Sequence, residues 1–274
     1  MAKQQHLTRP FLKWAGSKYR VLEHIHAMLP AGQRLIEPFA GSGAVFMNTD
    51  FDRYLLADTN ADLINVYQTL QQLGEHFISE CARLFQARTN QEAYYYRRRE
   101  EFNRCRDPQR KAALFIYLNR HGYNGLCRYN AAGVFNVPFG RYKQPYFPAE
   151  ELLAFHHKSA RAEFVHLDFD AVMQSAQIGD VVYCDPPYVP LSSSANFTSY
   201  SAGGFDMPQQ QRLADLAEQT RQRGIPVLIS NHNTRFTRNA YRSANDIKRF
   251  SVRRFISCNG NKRQNAWELL ALFS

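Results

Sequence analysis

Asp185-Pro186-Pro187-Tyr188 brings together a carboxylate, two residues without a backbone N–H and a flat ring. The prolines hold φ near -65° and can only accept hydrogen bonds through their carbonyls. A rigid cluster of acceptors beside a stacking face suits a planar amino group, such as that of a nucleobase. The same residues would also make a proline turn whose acid caps a backbone. A second cluster is Glu37-Pro38-Phe39-Ala40-Gly41-Ser42-Gly43, followed by the acid Asp58. Glycines after a parallel strand let a ligand approach the backbone, and an acid ending the next strand suits ribose hydroxyls. Neither GxxxxGK[ST] nor GxGxxG occurs, so a nucleoside without a phosphate chain fits better than a nucleotide. Asp58 would alternatively cap a helix starting near Thr59. Trp14, in Phe11-Leu12-Lys13-Trp14-Ala15-Gly16-Ser17-Lys18, is either a ligand contact or part of an amphipathic helix.

These groups must be carried by strands and helices. Val181–Cys184, rich in β-branched and aromatic residues, reads as a buried strand leading into Asp185. Further strands are predicted at Arg34–Phe39, Tyr54–Asp58, Phe164–Leu167 and Val227–Ser230. Helical patterns cover Ala149–His157 and Pro208–Arg223, the latter with proline near its start and Gly224 past its end. Arg249–Ile256 and Ala266–Phe273 alternate around Asn259-Gly260, a hairpin signal. Alternating strands and helices predict an α/β fold: a mostly parallel sheet with an antiparallel edge hairpin.

The middle of the chain breaks this rhythm. Helical character runs over Ala61–Leu73, Glu75–Phe85 and Glu92–Asn103, then through an apolar helix at Ala112–Leu118 opened by Asp107-Pro108. Gly122-Tyr123-Asn124-Gly125-Leu126 and Ala132-Gly133-Val134 read as turns of a hairpin. The chain is thus predicted to consist of a domain formed by residues 1–60 and 149–274, interrupted by a helical insert with a β-hairpin at residues 61–148.

Charge is concentrated in that insert. Of a net +10, residues 62–148 carry a surplus of six, thirteen Lys and Arg against seven Asp and Glu. The cations alternate with rings, as in Tyr94-Tyr95-Tyr96-Arg97-Arg98-Arg99, Arg120-His121-Gly122-Tyr123 and Arg141-Tyr142. Guanidinium groups for phosphates beside rings for bases make up a nucleic-acid surface. The five cysteines are scattered without a CxxC pair, which argues against a disulfide framework or zinc site and for a reducing, cytoplasmic setting. No apolar run approaches the ~20 residues of a membrane span, and residues 1–6 have no signal-peptide character.

The segments FLKWAGSK, EPFAGSG, YLLADTN, RHGYNGLCRYN, FNVPFGRYKQPYFP, DPPY, ANFT, PVLISNHNT and VRRFIS occur in the order of the Dam-type DNA adenine-N6 methyltransferases, and over nearly the whole chain the sequence resembles that family. The resemblance implies a Rossmann-like catalytic domain using S-adenosylmethionine, without a metal, on adenine N6 of duplex GATC. It also implies roles in mismatch repair, replication timing and gene regulation, and no obligate protein partner. Asp185, Pro186, Pro187 and Tyr188 would hold the flipped-out adenine. Trp14, Ala15, Gly16, Lys18, Glu37, Pro38, Phe39, Gly41, Gly43, Asp58, Asp168, Phe169 and Asp185 would line the cofactor. Tyr123 and Asn124 would wedge into the opened stack, with Lys13, Leu126 and Arg128 reading flanking pairs and Pro138 and Tyr142 close to the bases. Arg99, Asn130, Arg141 and Lys143 would meet phosphates.

Two positions depart from the family pattern. Ser17 stands where glycine is usual, which would alter the loop if positive φ is needed there, and His121 stands where tyrosine is common. Competing readings are the same chemistry at another sequence within a restriction-modification system, methylation of RNA or cytosine N4, and a DNA-binding module that has lost catalysis.

Overall fold

The structure, a computed structural model, describes residues 7–191, 205–253 and 265–274. The Asn259-Gly260 turn, Cys258 and the ANFT segment lie outside the described residues. The described strands form a mixed α/β sheet in the order β3-β2-β1-β4-β5-β7-β6. They are β1 (Arg34–Glu37), β2 (Arg53–Ala57), β3 (Ala162–Val165), β4 (Asp180–Cys184), β5 (Val227–His232), β6 (Asp246–Arg253) and β7 (Asn265–Phe273). The predicted parallel sheet with an antiparallel edge is present, β6 starting three residues before the expected Arg249. Contacts divide the chain into two compact units, residues 1–22 with 40–166 and residues 23–39 with 167–274. A short helix α1 spans Leu22–His26.

In the first unit β2 and β3 pair in parallel, Tyr54 opposite Ala162 and Ala57 opposite Val165. Helices α2 (Ala44–Asn48), α3 (Ala61–Ala82), α4 (Glu92–Arg104), α5 (Pro108–His121) and α6 (Ala149–Ser159) complete it. The two helices expected over Ala61–Leu73 and Glu75–Phe85 are present as α3, broken as expected at Gly74, where φ is 50° and ψ is -127°, with the second ending at Ala82 rather than Phe85. Asp107 caps α5 by accepting from the Arg110 N–H at 3.1 Å, and every residue from Ala112 to His121 is buried. That burial explains the long apolar run. The segment after α5 departs from the predicted β-hairpin: it has only isolated antiparallel bridges, Gly122 with Phe139 and Tyr129 with Phe135. Scattered backbone bonds, such as Asn136 N to the Arg128 carbonyl at 3.1 Å, and side-chain bonds hold it together. The Asn130 carboxamide oxygen, for example, accepts from Ala132 N at 3.0 Å and Val134 N at 2.9 Å.

In the second unit β1, β4 and β5 are parallel, with Arg34 opposite Asp180 and Cys184 opposite Ile229. β7 runs antiparallel to β5, placing Glu268 opposite His232, and β6 pairs antiparallel to β7. Helices α7 (Phe169–Gln174), α8 (Met207–Gln222) and α9 (Arg235–Ala240) follow their strands. A capping box closes the start of α8, with the Asp206 carboxylate accepting from Gln209 N at 2.9 Å. β4 is buried at all five positions, as befits a central strand of a parallel sheet.

Candidate active site and nucleic-acid interface

The carboxyl ends of β4 and β5 lie side by side, so Asp185–Tyr188 meets Ser230-Asn231-His232. Ser230 Oγ donates to Asp185 Oδ1 at 3.0 Å and contacts the Tyr183 hydroxyl at 3.1 Å. Ser230 spends its single proton on the carboxylate, which makes Tyr183 the donor in the second bond. Burial, followed by the charge of Asp185, drives the Tyr183 phenol well above its ordinary pKa, so it remains a neutral donor. The Tyr188 hydroxyl donates to Glu268 Oε2 at 3.1 Å, and its ring meets the His232 ring edge-on with centroids 4.7 Å apart. Its phenol is likewise pushed well up, by burial and by the charges of Asp185 and Glu268.

The backbone groups on either side of Tyr188 are held by side chains. Gln210 Nε2 donates to the Pro187 carbonyl at 2.6 Å, Val189 N donates to Asn231 Oδ1 at 3.0 Å, and His232 Nδ1 lies 2.7 Å from the Val189 carbonyl. Among the described residues no hydrogen bond reaches the Pro186 carbonyl. A held carboxylate and an available carbonyl on adjacent residues can take both hydrogens of one amino group. Cys184, buried beside them, has its thiol pushed up by desolvation and supplies no nucleophile.

In the first unit, Gly41 and Gly43 have positive φ, 47° and 67°, and Gly43 leads into α2. A Cβ at Gly41 would lie 3.1 Å from the Trp14 indole nitrogen, so only glycine lets the ring close over this backbone. The Gly41 carbonyl accepts from the Tyr67 hydroxyl. Asp58 accepts from Gly41 N at 3.1 Å through Oδ2 and from Asn60 N at 2.9 Å through Oδ1. Desolvation raises the Asp58 pKa against these bonds. It does not cap a helix: Asn60 does, accepting from Leu63 N at 3.1 Å at the start of α3. Trp14 and Ala15 lie in a turn rather than an amphipathic helix. Ser17 has φ of -50°, so its departure from glycine costs no strain, and its Oγ lies 3.0 Å from Ser42 Oγ. Lys18 Nζ donates to the Gly16 carbonyl at 2.5 Å. A glycine backbone beside an indole, with a carboxylate whose remaining lone pairs can accept hydroxyls, fits the nucleoside half of S-adenosylmethionine.

Of the remaining predicted cofactor residues, all in the second unit, Glu37 and Pro38 are buried at the end of β1. Phe39 stacks on Phe169 at 5.5 Å and meets Phe205 edge-on at 5.4 Å. Asp168 caps α7, accepting from Ala171 N at 3.1 Å.

The basic segment shows a third arrangement. The Asn119 side chain, on buried α5, accepts from Lys13 N at 2.9 Å and donates to the carbonyls of Lys13 at 2.8 Å and Gly125 at 3.2 Å. Lys13 Nζ lies 4.0 Å from the centroid of the Tyr142 ring. Gly125 has φ of 63°, and a Cβ there would collide with the Lys13 stem. Tyr123 is 51% exposed at the head of this turn, and Asn124 beside it takes a left-handed backbone, φ 53°. Tyr123 N donates to the Pro138 carbonyl at 2.8 Å. Arg128 directs Nε to Asn136 Oδ1 at 2.8 Å, holding one edge of the guanidinium while Nη1 has no partner among the described residues. Exposed Arg141 and Lys143, and half-exposed Leu126, complete the surface. Arg99 is more committed: Nη1 donates to the Val137 carbonyl at 3.0 Å and the guanidinium lies 4.7 Å from the Tyr96 ring centroid.

His121 is buried, 4.0 Å from the Tyr117 ring centroid, with Nδ1 2.9 Å from the Tyr117 carbonyl. Desolvation, with smaller contributions from Lys13 and Arg120, pushes its pKa down to about 4 against the opposing carbonyl.

Residues 14–255 match the family model of the D12 class N6 adenine-specific DNA methyltransferases. The chain belongs to this family. It is 52% identical over 265 residues to the DNA adenine methylases of Salmonella typhi and Escherichia coli (strain K12), covering 97% of this chain and 95% of each relative. It is 50% identical over 267 residues to the DNA adenine methylase of Vibrio cholerae, covering 97% and 96%. This D12-class chain is an adenine-specific DNA methyltransferase of the Dam type. Among the described residues no group of three His, Cys, Asp or Glu could hold a metal ion, and no helix is long and apolar enough to cross a membrane.

Several groups in this D12 methyltransferase received no role from sequence reasoning: Ser230, Asn231, His232, Gln210, Glu268, Asn119 and Asn136. Ser230, Asn231 and His232 lie in PVLISNHNT, which was matched as a segment only. The available signal was three polar residues ending an otherwise apolar strand.

Proposed function

We propose that this adenine-specific DNA methyltransferase moves the methyl group of S-adenosylmethionine to N6 of an adenine extruded from duplex 5'-GATC-3'. The observation carrying the proposal is the pairing of a Ser230-held Asp185 carboxylate with the available Pro186 carbonyl. Adenine N6 is a poor nucleophile because its lone pair is delocalised into the ring. Donating its two hydrogens to the Asp185 carboxylate and the Pro186 carbonyl localises that pair and stabilises the positive charge developing on N6. When bound, S-adenosylmethionine would supply an electrophilic methyl on its sulfonium and leave as the neutral thioether, and the proton lost from N6 would depart along its hydrogen bond to the Asp185 carboxylate. Tyr188 offers its ring to the base, which must leave the stack for N6 to be reached.

Asp58, with the Gly41–Gly43 backbone, Trp14, Ala15, Gly16 and Lys18, is assigned to the cofactor, together with Glu37, Pro38, Phe39, Asp168 and Phe169. Residues 1–60 and 149–274 form the catalytic part and 61–148 the target-recognition part. In the latter, Tyr123 and Asn124 fill the opened stack and Arg128 reads a guanine through its Nη edge, with Lys13 and Leu126 reading other pairs. Pro138 and Tyr142 lie against the bases. Arg99, Asn130, Arg141 and Lys143 contact phosphates, which position rather than specify. The proposed setting is cytoplasmic DNA, with roles in mismatch repair, replication timing and gene regulation.

Mapping methylated adenines in DNA from cells expressing only this enzyme tests the assignment. Methylation confined to GATC supports it, and methylation at another sequence overturns the target. Asp185→Ala should abolish turnover with duplex binding retained; near-wild-type kcat would remove Asp185 from the reaction.

A further inference from the structure

Gln210 and Asn231 are 1% and 0% exposed, and neither faces a ligand surface. Burying a primary amide is unfavourable unless its donors and acceptors are satisfied. The donor pattern here admits one orientation. Asn231 Oδ1 accepts two backbone N–H groups, Val189 at 3.0 Å and His232 at 2.8 Å, so Nδ2 must be its donor. That nitrogen reaches Gln210 Oε1 at 2.9 Å and the Tyr241 hydroxyl, itself fully buried, at 3.0 Å. With Oε1 accepting, Gln210 must present Nε2 to the Pro187 carbonyl, 2.6 Å away. The Pro187 carbonyl belongs to the peptide plane before the Tyr188 Cα, and the Val189 N–H to the plane after it. Each plane is therefore tied to one amide side chain, and the two amides are tied to each other. Rotation about φ or ψ of Tyr188 would break a bond at one end or the other.

We infer that Gln210 and Asn231 are positioning residues for methyl transfer, fixing the backbone of Tyr188 so that its ring and the preceding Pro186 carbonyl stay in register for the acceptor base. The inference rests on the assignment of Asp185–Tyr188 to the acceptor amino group. Neither residue touches substrate; both act through Tyr188. The network spans α8, β5 and the loop after β4, and its far end at Tyr241 is anchored just past α9. The loop is held by buried side chains of α8 and β5.

The test uses the full chain with a GATC duplex and S-adenosylmethionine. Gln210→Met keeps the side-chain length and removes both hydrogen bonds. Leaving the Pro187 carbonyl unsatisfied should slow single-turnover methylation by between about fivefold and about 150-fold. The dissociation constants for duplex and cofactor should stay within about twofold, since the amide makes no ligand contact. In a Tyr188→Ala background the same substitution should cost less in rate, because one of the two groups it positions is gone. A Gln210→Met enzyme within threefold of the wild-type single-turnover rate would overturn the inference. So would a rate loss undiminished in the Tyr188→Ala background. Asn231→Ser, which keeps an acceptor but loses the link to Gln210, should show the same split; if it does not fold, Gln210→Met alone decides. Active Asp185→Ala would instead overturn the assignment on which the inference rests, so the two failures are distinguishable.

Discussion

Replacing Ser230 by alanine tests whether the orientation of the Asp185 carboxylate matters to the proposed reaction. The substitution removes a 3.0 Å hydrogen bond to Asp185 Oδ1, together with the Ser230 contact to the Tyr188 hydroxyl, while leaving the carboxylate and Pro186 in place. Hydrogen bonds to charged groups contribute about 1.5–3 kcal/mol. If that bond serves to aim the carboxylate at N6, its loss is felt in the transition state and slows methyl transfer by about 10- to 150-fold. The Tyr183 hydroxyl, buried and kept neutral, also loses its partner at 3.1 Å. An unsatisfied buried hydroxyl costs about 1–3 kcal/mol of stability, so the melting temperature should fall by a few degrees. Tyr183→Phe separates the two effects, since it removes the phenol and keeps the bond from Ser230 to Asp185. Rapid-quench single-turnover methylation of a GATC duplex, beside thermal melting and duplex binding, provides the measurements. The expected pattern is a large rate loss in Ser230→Ala, a much smaller one in Tyr183→Phe, and unchanged duplex affinity in both. A Ser230→Ala enzyme that melts lower but transfers methyl at the wild-type rate would refute the reasoning and leave Ser230 with a purely structural role.

Other expectations follow from the same geometry. His121 binds its proton only near pH 4 when folded but near 6.5 when unfolded, so its contribution is complete above pH 6.5 and is lost as pH falls toward 4. The loss amounts to at most about 3 kcal/mol, and thermal melts across this range should show a shallower acid dependence in His121→Phe. Asp58 has a raised pKa, so its stability contribution is complete below the unfolded value and declines as pH rises through the folded one, leaving a charged, partly desolvated carboxylate at neutral pH. Cofactor affinity, followed by Trp14 fluorescence in a Trp267→Phe background, should therefore weaken on acidification before an ordinary carboxylate would titrate; affinity constant down to pH 4 would exclude Asp58 from the site. Arg128→Ala should relax preference at one base pair by about 1–3 kcal/mol, and equal losses on cognate and scrambled duplexes would make it a phosphate contact only.

Strands and motif-bearing loops were legible because their signals are local. Val181–Cys184 is apolar and β-branched, and Asp185-Pro186-Pro187-Tyr188 is unusual at a strand end. The bonds of Asp58 were not legible, since the same acid could have capped a helix; the neighbouring Asn60 does so instead. The partners of the acceptor site were not legible. Ser230 lies 45 residues from Asp185, and Glu268 lies 80 from Tyr188. They meet only because β4, β5 and β7 are neighbours in the sheet, and strand order is a non-local property. A buried Gln210 within α8 looks like any polar helix residue until the Pro187 carbonyl is beside it. The break at Gly74 was legible from the glycine between two helical patterns, but its partner was not: the group crowding the position is His156 from α6.

The clamp formed by Asn119 on Lys13 and Gly125 bears on how sequence preference could be redesigned. One carboxamide holds both the backbone that leads into Trp14 and the turn that presents Tyr123 and Asn124. The Lys13 stem also occupies the space that any side chain at position 125 would need. The turn and the segment around Lys13 are one mechanical piece. A transplant of the loop over residues 122–142 into a relative would bring a turn shaped for a lysine stem it had left behind. Residues 11–16 and Asn119 would have to travel with it, making the smallest exchangeable specificity cassette discontinuous in sequence.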